Sequence, residues 1–193
     1  MLKLFSKLRV THASPAATYS HSANRNWESD ADIKKLGLDP KKCPDIAQQL
    51  IRQKPGLNLN VILGGGRRKF LSENTIDEEG QKGQRLDGVD LIDEWIVKKN
   101  SQKAHYIYDK NGLLSLNYSN TEFVLGLFES DHMKFNLDAD HDTEPTLSEM
   151  TKAAIEILKS HKNGYVLFVE GGRIDHAHHQ NLGIFWIGIS IDG

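Results

Sequence analysis

The chain has 193 residues, of which 38% are hydrophobic and 26% charged, and this balance excludes fibrous and wholly disordered proteins. Lys and Arg number 24 against 26 Asp and Glu, which gives a formal net charge of -2. Because nucleic acids and anionic membranes attract basic proteins, this charge argues against both as partners. No apolar run approaches the ~20 residues of a membrane span. The opening sequence MLKLFSKLRV also lacks the apolar core of a signal peptide.

Helical and extended patterns alternate along the chain. The apolar spacing at 45–52 predicts a helix that begins after Pro44. The apolar run at 57–63 predicts a buried strand, closed by a turn at the three glycines 64–66. Further periodic or apolar runs predict one more helix and two short strands, at 89–99, 105–108 and 123–128.

The clearest helix is predicted at 146–161. Thr146 and Glu149 have the spacing of a capping box, and apolar residues follow at helical intervals. Gly164 suits the left-handed position that ends such a helix. The continuous apolar run at 165–169 is typical of a central strand buried on both faces. This alternation predicts an α/β fold with a mostly parallel sheet covered by helices.

Polar residues follow that last strand directly, where parallel sheets collect their ligands. Residues 170–179 read EGGRIDHAHH. If the chain turns helical after the glycines, Asp175 and His179 lie four residues apart on one side. Their carboxylate and imidazole then form half of a zinc site, while Glu170 is a hard oxygen donor that suits magnesium. The alternative is a solvated helix start in which Asp175 acts as a local cap.

A second polar group lies at 11–27. Arg25 offers a fork of donors that matches two phosphate oxygens. Ser14 has a hydroxyl that suits a hard cation, and His12 could hold the water of that cation. From these residues alone, an ordinary loop with a surface charge is the favoured interpretation.

Several of these stretches resemble the animal type of the alkaline phosphatase family. The strand-and-metal motif of that family is similar to LFVEGGRIDH at 167–176. The other similar stretches are HASPA at 12–16, NRNWESDAD at 24–32, NVILGGGR at 60–67, RLDG at 85–88 and LFE at 127–129. The resemblance divides the chain into a divergent segment at 1–10, a partial alkaline phosphatase domain at 11–182 and a divergent tail at 183–193.

The resemblance implies metal-binding roles for the matching residues. Asp175 and His179 are the implied ligands of a catalytic zinc. Glu170 and Ser14 are the implied ligands of a magnesium ion, with His12 in its outer shell. An alkaline-phosphatase-like fold that is incomplete within this chain is also implied.

A peripheral calcium site is implied as well. Its ligands are the backbone carbonyl of Phe128 and the carboxylates of Glu129 and Glu144. Glu144 stands where an aspartate is more usual in the family. Glu79, in a loop that matches the family only loosely, is a further candidate.

The family hydrolyses phosphate monoesters at a site of two zinc ions and one magnesium ion, through a phosphoserine intermediate. Arg25 is the implied catalytic and substrate-binding residue that clamps the phosphate. Family members are homodimers held by a lipid anchor at the extracellular face of the plasma membrane. This chain encodes no signal, no anchor and no membrane contact that the sequence reveals.

The resemblance leaves the mechanism incomplete within these residues. The nucleophilic serine of the family and its remaining zinc ligands have no match here, so we expect the chain to be inactive by itself. The alternatives are a non-catalytic metal-binding fragment, a dead partner subunit, or a sulfatase or phosphodiesterase of the wider superfamily. The NRNW setting of Arg25 argues against the last two enzymes.

Overall fold

The computed structural model describes residues 2–159 and 164–183. The strands within them are β1 (Leu2–Arg9), β2 (Val61–Gly65), β3 (Ala104–Ile107), β4 (Phe123–Leu127) and β5 (Val166–Glu170). They form one sheet in the order β3-β4-β2-β1-β5, and every pairing is parallel. The parallel sheet predicted from the sequence is therefore confirmed.

Seven α-helices occur within the described residues. They are α1 (Ala13–Ala17), α2 (Asp30–Lys35), α3 (Ile46–Arg52), α4 (Leu91–Lys99), α5 (Lys110–Leu114), α6 (Leu147–Leu158) and α7 (Gly172–His179). No helix in this part of the chain combines the length and the apolar character needed to cross a bilayer.

The side chains of the sheet alternate between two apolar layers. Leu4, Ile62 and Leu125 are aligned across β1, β2 and β4, and they pack in one cluster with residues of α3 and α4. Phe5 and Leu63 are aligned one position further on and pack with α5 and α6. Helices therefore cover both faces of the sheet, as expected for parallel strands buried on both sides.

The three predicted helices are confirmed within one or two residues of their starts. Asp45 and Asp90 cap α3 and α4 by accepting hydrogen bonds from first-turn N–H groups. The predicted capping box of α6 is present, because Thr146 Oγ1 accepts from the Glu149 N–H at 3.1 Å and Glu149 Oε2 accepts from the Thr146 N–H at 2.8 Å. Gly164 has the expected positive φ of 71°. Residues 160 and 161 of the predicted helix lie outside the described residues.

The strand predicted at 57–63 begins four residues late. The Asn58 N–H donates to the Pro55 carbonyl at 2.9 Å, which closes a 3-10 turn before β2 starts at Val61. Two of the three glycines predicted as a turn continue the strand instead. Only Gly66 takes the left-handed conformation, with φ at 98°.

The strand predicted at 165–169 is correct, but its predicted central position is wrong. β5 lies at the edge of the sheet beside β1, and the side chains of Val166 and Val169 are 61% and 41% exposed. The inner position belongs to β1, a segment for which the sequence analysis predicted no element. An apolar run reports hydrophobicity, but it cannot report whether a strand has a second neighbour.

Candidate metal and phosphate site

The carboxyl ends of β1, β4 and β5 bring three histidines together from distant parts of the chain. His12 precedes α1 directly, His132 lies in the loop after β4, and His176 lies in α7. Their ring centroids are 4.7 to 5.6 Å apart, and each pair meets edge to face. Parallel strands place their carboxyl ends at one edge of a sheet, so this meeting follows from the topology.

Helix α7 presents the predicted zinc ligands on one side. It starts directly after β5, where a Cβ at Gly172 would overlap the side chain of Leu8, so glycine allows α7 to approach β1 closely. Nε2 of His179 lies 3.6 Å from Oδ2 of Asp175, and these side chains are 77% and 71% exposed. An accessible carboxylate oxygen and imidazole nitrogen this close together fit two positions of a zinc ion.

Glu170, the predicted magnesium ligand, ends β5 and is turned toward β1. It is in register with Ser6, whose hydroxyl donates to Glu170 Oε2 at 2.7 Å. Ser6 is fully buried, and its oxygen accepts from the Leu8 N–H at 3.0 Å. These two hydrogen bonds fix the carboxylate at the strand tip. A half-buried carboxylate fixed in this way fits a hard cation.

Ser14 and Arg25 lie on and beyond α1, and both side chains are exposed. Arg25 lines a cavity of about 260 Å³ together with residues of α1 and of the segment that follows it. Asp175, His179 and Glu170 do not line that cavity. The structure thus brings Asp175 and His179 together, and it places Arg25 at a cavity that neither of them lines.

The hydrogen bonds of the histidine trio define its chemistry. His132 Nδ1 accepts from the Arg9 N–H at 3.1 Å, and His176 Nδ1 accepts from the Arg173 guanidinium at 3.0 Å. Each neutral ring therefore carries its proton on Nε2. Burial, followed by the charge of Arg9, lowers the pKa of His12 to about 4 and lowers the pKa of His132 further. His12 and His132 are consequently uncharged at neutral pH, and burial also lowers the pKa of His176.

Among the described residues, the trio is the one group of three or more histidine, cysteine or acidic side chains whose ligand atoms lie within 4.8 Å of one another. A metal ion needs a lone pair from each ring, yet the Nδ1 lone pairs of His132 and His176 are already taken and their Nε2 atoms bear protons. The observed hydrogen bonds therefore take up the free ring lone pairs of His132 and His176, whereas the buried Nδ1 of His12 has no hydrogen-bond partner within the described residues. Sequence reasoning missed His132 and gave His176 no role, although both follow the carboxyl ends of strands.

Arg9 ties the end of β1 to the two loops beside it. Its Nε and Nη2 atoms donate to the carboxylate of Glu28 at 2.8 and 2.6 Å, and Nη1 donates to Asp131 at 2.6 Å. Thr11 Oγ1 donates to Glu28 at 2.6 Å. Burial alone would raise the pKa of Glu28, but the hydrogen bonds and charge of Arg9 lower it. A bidentate pair of this kind holds both groups in place.

Two of the predicted calcium ligands lie at the start of the loop that follows β4. Phe128 is buried, and Glu129 follows it directly, half-buried. Burial and then the charge of Glu79 raise the pKa of Glu129, and the charge of Glu144 also contributes. Lys134 lies against both Glu129 and Glu144, and we call Glu79, Glu129 and Glu144 the acidic cluster.

Cationic side chains of the chain itself occupy the acidic cluster. Lys134 Nζ lies 3.3 Å from Glu129 Oε1, and Lys7 Nζ lies 3.0 Å from Glu144 Oε1. Calcium needs six to eight oxygen ligands at about 2.3–2.6 Å, and here ammonium groups share those oxygens. This arrangement does not fit a calcium ion.

Comparisons with known proteins agree with this architecture. The family model described as alkaline phosphatase matches residues 4–186. The chain is 53% identical over 175 residues to the membrane-bound alkaline phosphatase of Bombyx mori, and this match covers 90% of the chain and 32% of the relative. It is 47% identical over 178 residues to the tissue-nonspecific isozyme of Gallus gallus, a match that covers 89% of the chain and 34% of the relative.

Solved structures show the same fold. Thermus thermophilus alkaline phosphatase superposes with a TM-score of 0.74 at 28% identity, over 99% of this chain and 33% of that one. The alkaline phosphatase of the Antarctic bacterium TAB5 superposes with a TM-score of 0.67 at 20% identity, over 99% of this chain and 45% of that one. The chain spans about a third of the length of the curated relatives that it matches. Because the family model covers nearly all of the sequence, the chain belongs to the alkaline phosphatase family.

Proposed function

We propose that the chain is part of a phosphate monoester hydrolase that works through a phosphoserine intermediate. In this proposal Asp175 and His179 hold zinc, and Glu170 and Ser14 hold magnesium. The observation that carries it is the Asp175–His179 pair, 3.6 Å apart on α7 at the carboxyl end of β5, inside the stretch that the family model matches. The relatives named alkaline phosphatase support the reaction.

Support for magnesium also comes from a structural neighbour. A mutant of the TAB5 alkaline phosphatase is described with Mg bound in its M3 site, at 19% identity and with a TM-score of 0.65. In our proposal His12 stands in the outer shell of the magnesium ion, a place that suits a neutral imidazole.

In this proposal, different residues at the carboxyl edge of the sheet have different roles in the reaction. The bound metal ions would stabilise the charge that develops on the phosphate oxygens and lower the pKa of a bound water toward about 7. Arg25 binds two non-bridging oxygens of the phosphate with its planar fork and orients the phosphorus for in-line attack. Ser6 keeps the Glu170 carboxylate in one orientation through its 2.7 Å hydrogen bond.

For the 193-residue polypeptide by itself, we propose metal uptake without turnover. The exposed positions of Asp175 and His179 and the separate cavity beside Arg25 favour this second, non-catalytic function for the isolated chain. A pair of ligands can bind zinc weakly, whereas covalent catalysis needs a nucleophile at the same site.

A chimera tests the catalytic proposal. Residues 11–182 replace the matching segment of the Bombyx mori relative, and hydrolysis of p-nitrophenyl phosphate is measured at alkaline pH. We expect activity in the chimera, and a loss of kcat/KM of at least about 100-fold for Asp175→Asn or Arg25→Ala. Asp142→Asn, at an exposed carboxylate, is the matched control. A folded chimera that keeps full activity with Asp175→Asn would refute the proposal.

We also propose that the hydrolase is a homodimer at the extracellular face of the plasma membrane. The relative from Bombyx mori is named membrane-bound, which supports the location. Cell-surface labelling of an epitope-tagged chimera, followed by cross-linking, measures both properties.

A further inference from the structure

Lys7 is buried in the sheet, where lysine rarely occurs without a partner. Its side chain is 4% exposed and faces Glu144, which is 3% exposed, with Nζ 3.0 Å from Oε1. Lys7 lies two residues after Phe5 in β1, so both side chains point to the α6 face of the sheet. Removing one charge of such a pair leaves the other buried and uncompensated.

Each carboxylate of the acidic cluster lies against a cationic side chain. Glu144 pairs with Lys7, and Glu129 pairs with Lys134. Glu79 accepts a hydrogen bond from Arg67 Nη1 at 3.1 Å. Arg67 Nη1 also lies 2.9 Å from Asp77 Oδ2, so Asp77 and Glu79 share one guanidinium. A divalent cation would compete with these ammonium and guanidinium groups for the carboxylate oxygens.

Both carboxylate oxygens of Glu144 have a neighbour, although Oε1 forms an ion pair without a hydrogen bond. Glu144 Oε2 accepts from the Lys134 N–H at 3.0 Å, while Oε1 faces the Lys7 ammonium. The backbone carbonyl of Glu129 accepts from the N–H groups of Gly66 and Arg67 at 2.9 and 3.1 Å. The ammonium groups of Lys7 and Lys134 lie beside oxygens that a calcium ion would need as ligands at about 2.3–2.6 Å.

We infer that the Lys7 ammonium is the resident cation of the acidic cluster and takes the place of a divalent metal ion there. The cluster joins β1, the loop after β4 and the start of α6. Lys7 therefore stabilises this junction through its ion pair with Glu144. The folded chain does not need calcium. The inference concerns the acidic cluster alone and does not depend on the proposed reaction.

The first test is thermal unfolding of the wild-type chain in EDTA, in 5 mM CaCl₂ and in 5 mM MgCl₂, a concentration about five times a Kd of about 1 mM. We expect the same Tm in all three solutions. A calcium-specific rise of about 3 °C or more would overturn the inference, because ligand binding to the folded state must raise Tm.

The second test removes the ammonium with Lys7→Met. We expect a lower Tm in EDTA and a calcium-specific recovery of about 3 °C or more, as the freed carboxylates bind the ion. Lys152→Met, at an exposed lysine of α6, is the control and stays indifferent to calcium. A folded Lys7→Met chain whose Tm does not rise with calcium contradicts the inference. If Lys7→Met does not fold, the double variant Lys7→Met/Glu144→Gln replaces it. Folding of the double variant without calcium supports the charge pairing, and failure of both variants to fold contradicts it.

Discussion

Single side chains of β1 set the positions of the candidate ligands around them. Ser6 directs Glu170, and Arg9 anchors Glu28 and Asp131 on either side of the histidine trio. Both residues come from the segment at 1–10 that the sequence analysis treated as divergent. A hydrogen bond to a residue 164 positions away leaves no local signal in the sequence, which explains why Ser6 was not predicted.

Ser6→Ala tests the support of Glu170. The variant removes a buried donor to the carboxylate and an acceptor for the Leu8 N–H, so the free energy of unfolding should fall by about 1–3 kcal/mol. Urea denaturation measures the change, with Ser119→Ala at an exposed serine as the control. An unchanged stability would mean that these two hydrogen bonds contribute nothing.

The Arg9–Glu28 pair predicts a specific dependence on acid. Because the folded-state pKa of Glu28 is lowered, its contribution is complete above the unfolded-state pKa of about 4.3 and is lost as pH falls through the folded-state value. Glu28→Gln should therefore lower the free energy of unfolding at pH 7 and weaken its decline below about pH 4.3. Urea denaturation between pH 7 and pH 3 measures both, with Glu73→Gln as the exposed control. Equal acid sensitivity in Glu28→Gln and wild type would contradict the assignment.

Among the helices and strands, features that depend on neighbouring residues were predicted correctly. The position of a strand within the sheet was not. The start of α6 was predicted from Thr146 and Glu149 because a capping box lies within four consecutive residues. The edge position of β5 was missed, because β1 had no recognisable pattern and the order of strands depends on distant pairing. The pairing of Asp175 with His179 was predicted because it needs only one helix.

Thr146→Ala tests the capping box. The variant leaves the Glu149 N–H without its acceptor, and we expect the free energy of unfolding to fall by about 1 kcal/mol. Ser148→Ala, two residues further along the same helix and exposed, should change it by less than about 0.5 kcal/mol. Equal effects of the two substitutions would argue against a specific cap.

Substitution of strand valines tests whether a face of the edge strand β5 is open to water. Val166→Thr places a hydroxyl where water reaches it, so the free energy of unfolding should change by less than about 0.5 kcal/mol. Val61→Thr buries the same hydroxyl in β2 and should cost about 1–3 kcal/mol. If Val166→Thr costs as much as Val61→Thr, then the face of β5 that bears Val166 is covered in solution.

For the whole molecule, the sequence predicted the fold class and the family, while the structure decided how the site residues meet. Motifs such as LFVEGGRIDH identify ligands in order along the chain, but they do not state which cavity each side chain enters. Asp175 and His179 meet on α7, whereas Arg25 lines a separate cavity beside α1. The chain matches about a third of its relatives, so contacts from residues beyond that third were not predictable from it.

Calorimetric titration of Zn²⁺ into the wild-type chain tests most directly whether Asp175 and His179 form a zinc site. We expect one zinc per chain, with affinity reduced at least about tenfold by Asp175→Asn or His179→Ala. His132→Ala should leave the affinity unchanged, because a hydrogen bond from the Arg9 N–H occupies the Nδ1 lone pair of His132. Zinc binding that survives both α7 variants and disappears with His132→Ala would contradict the account.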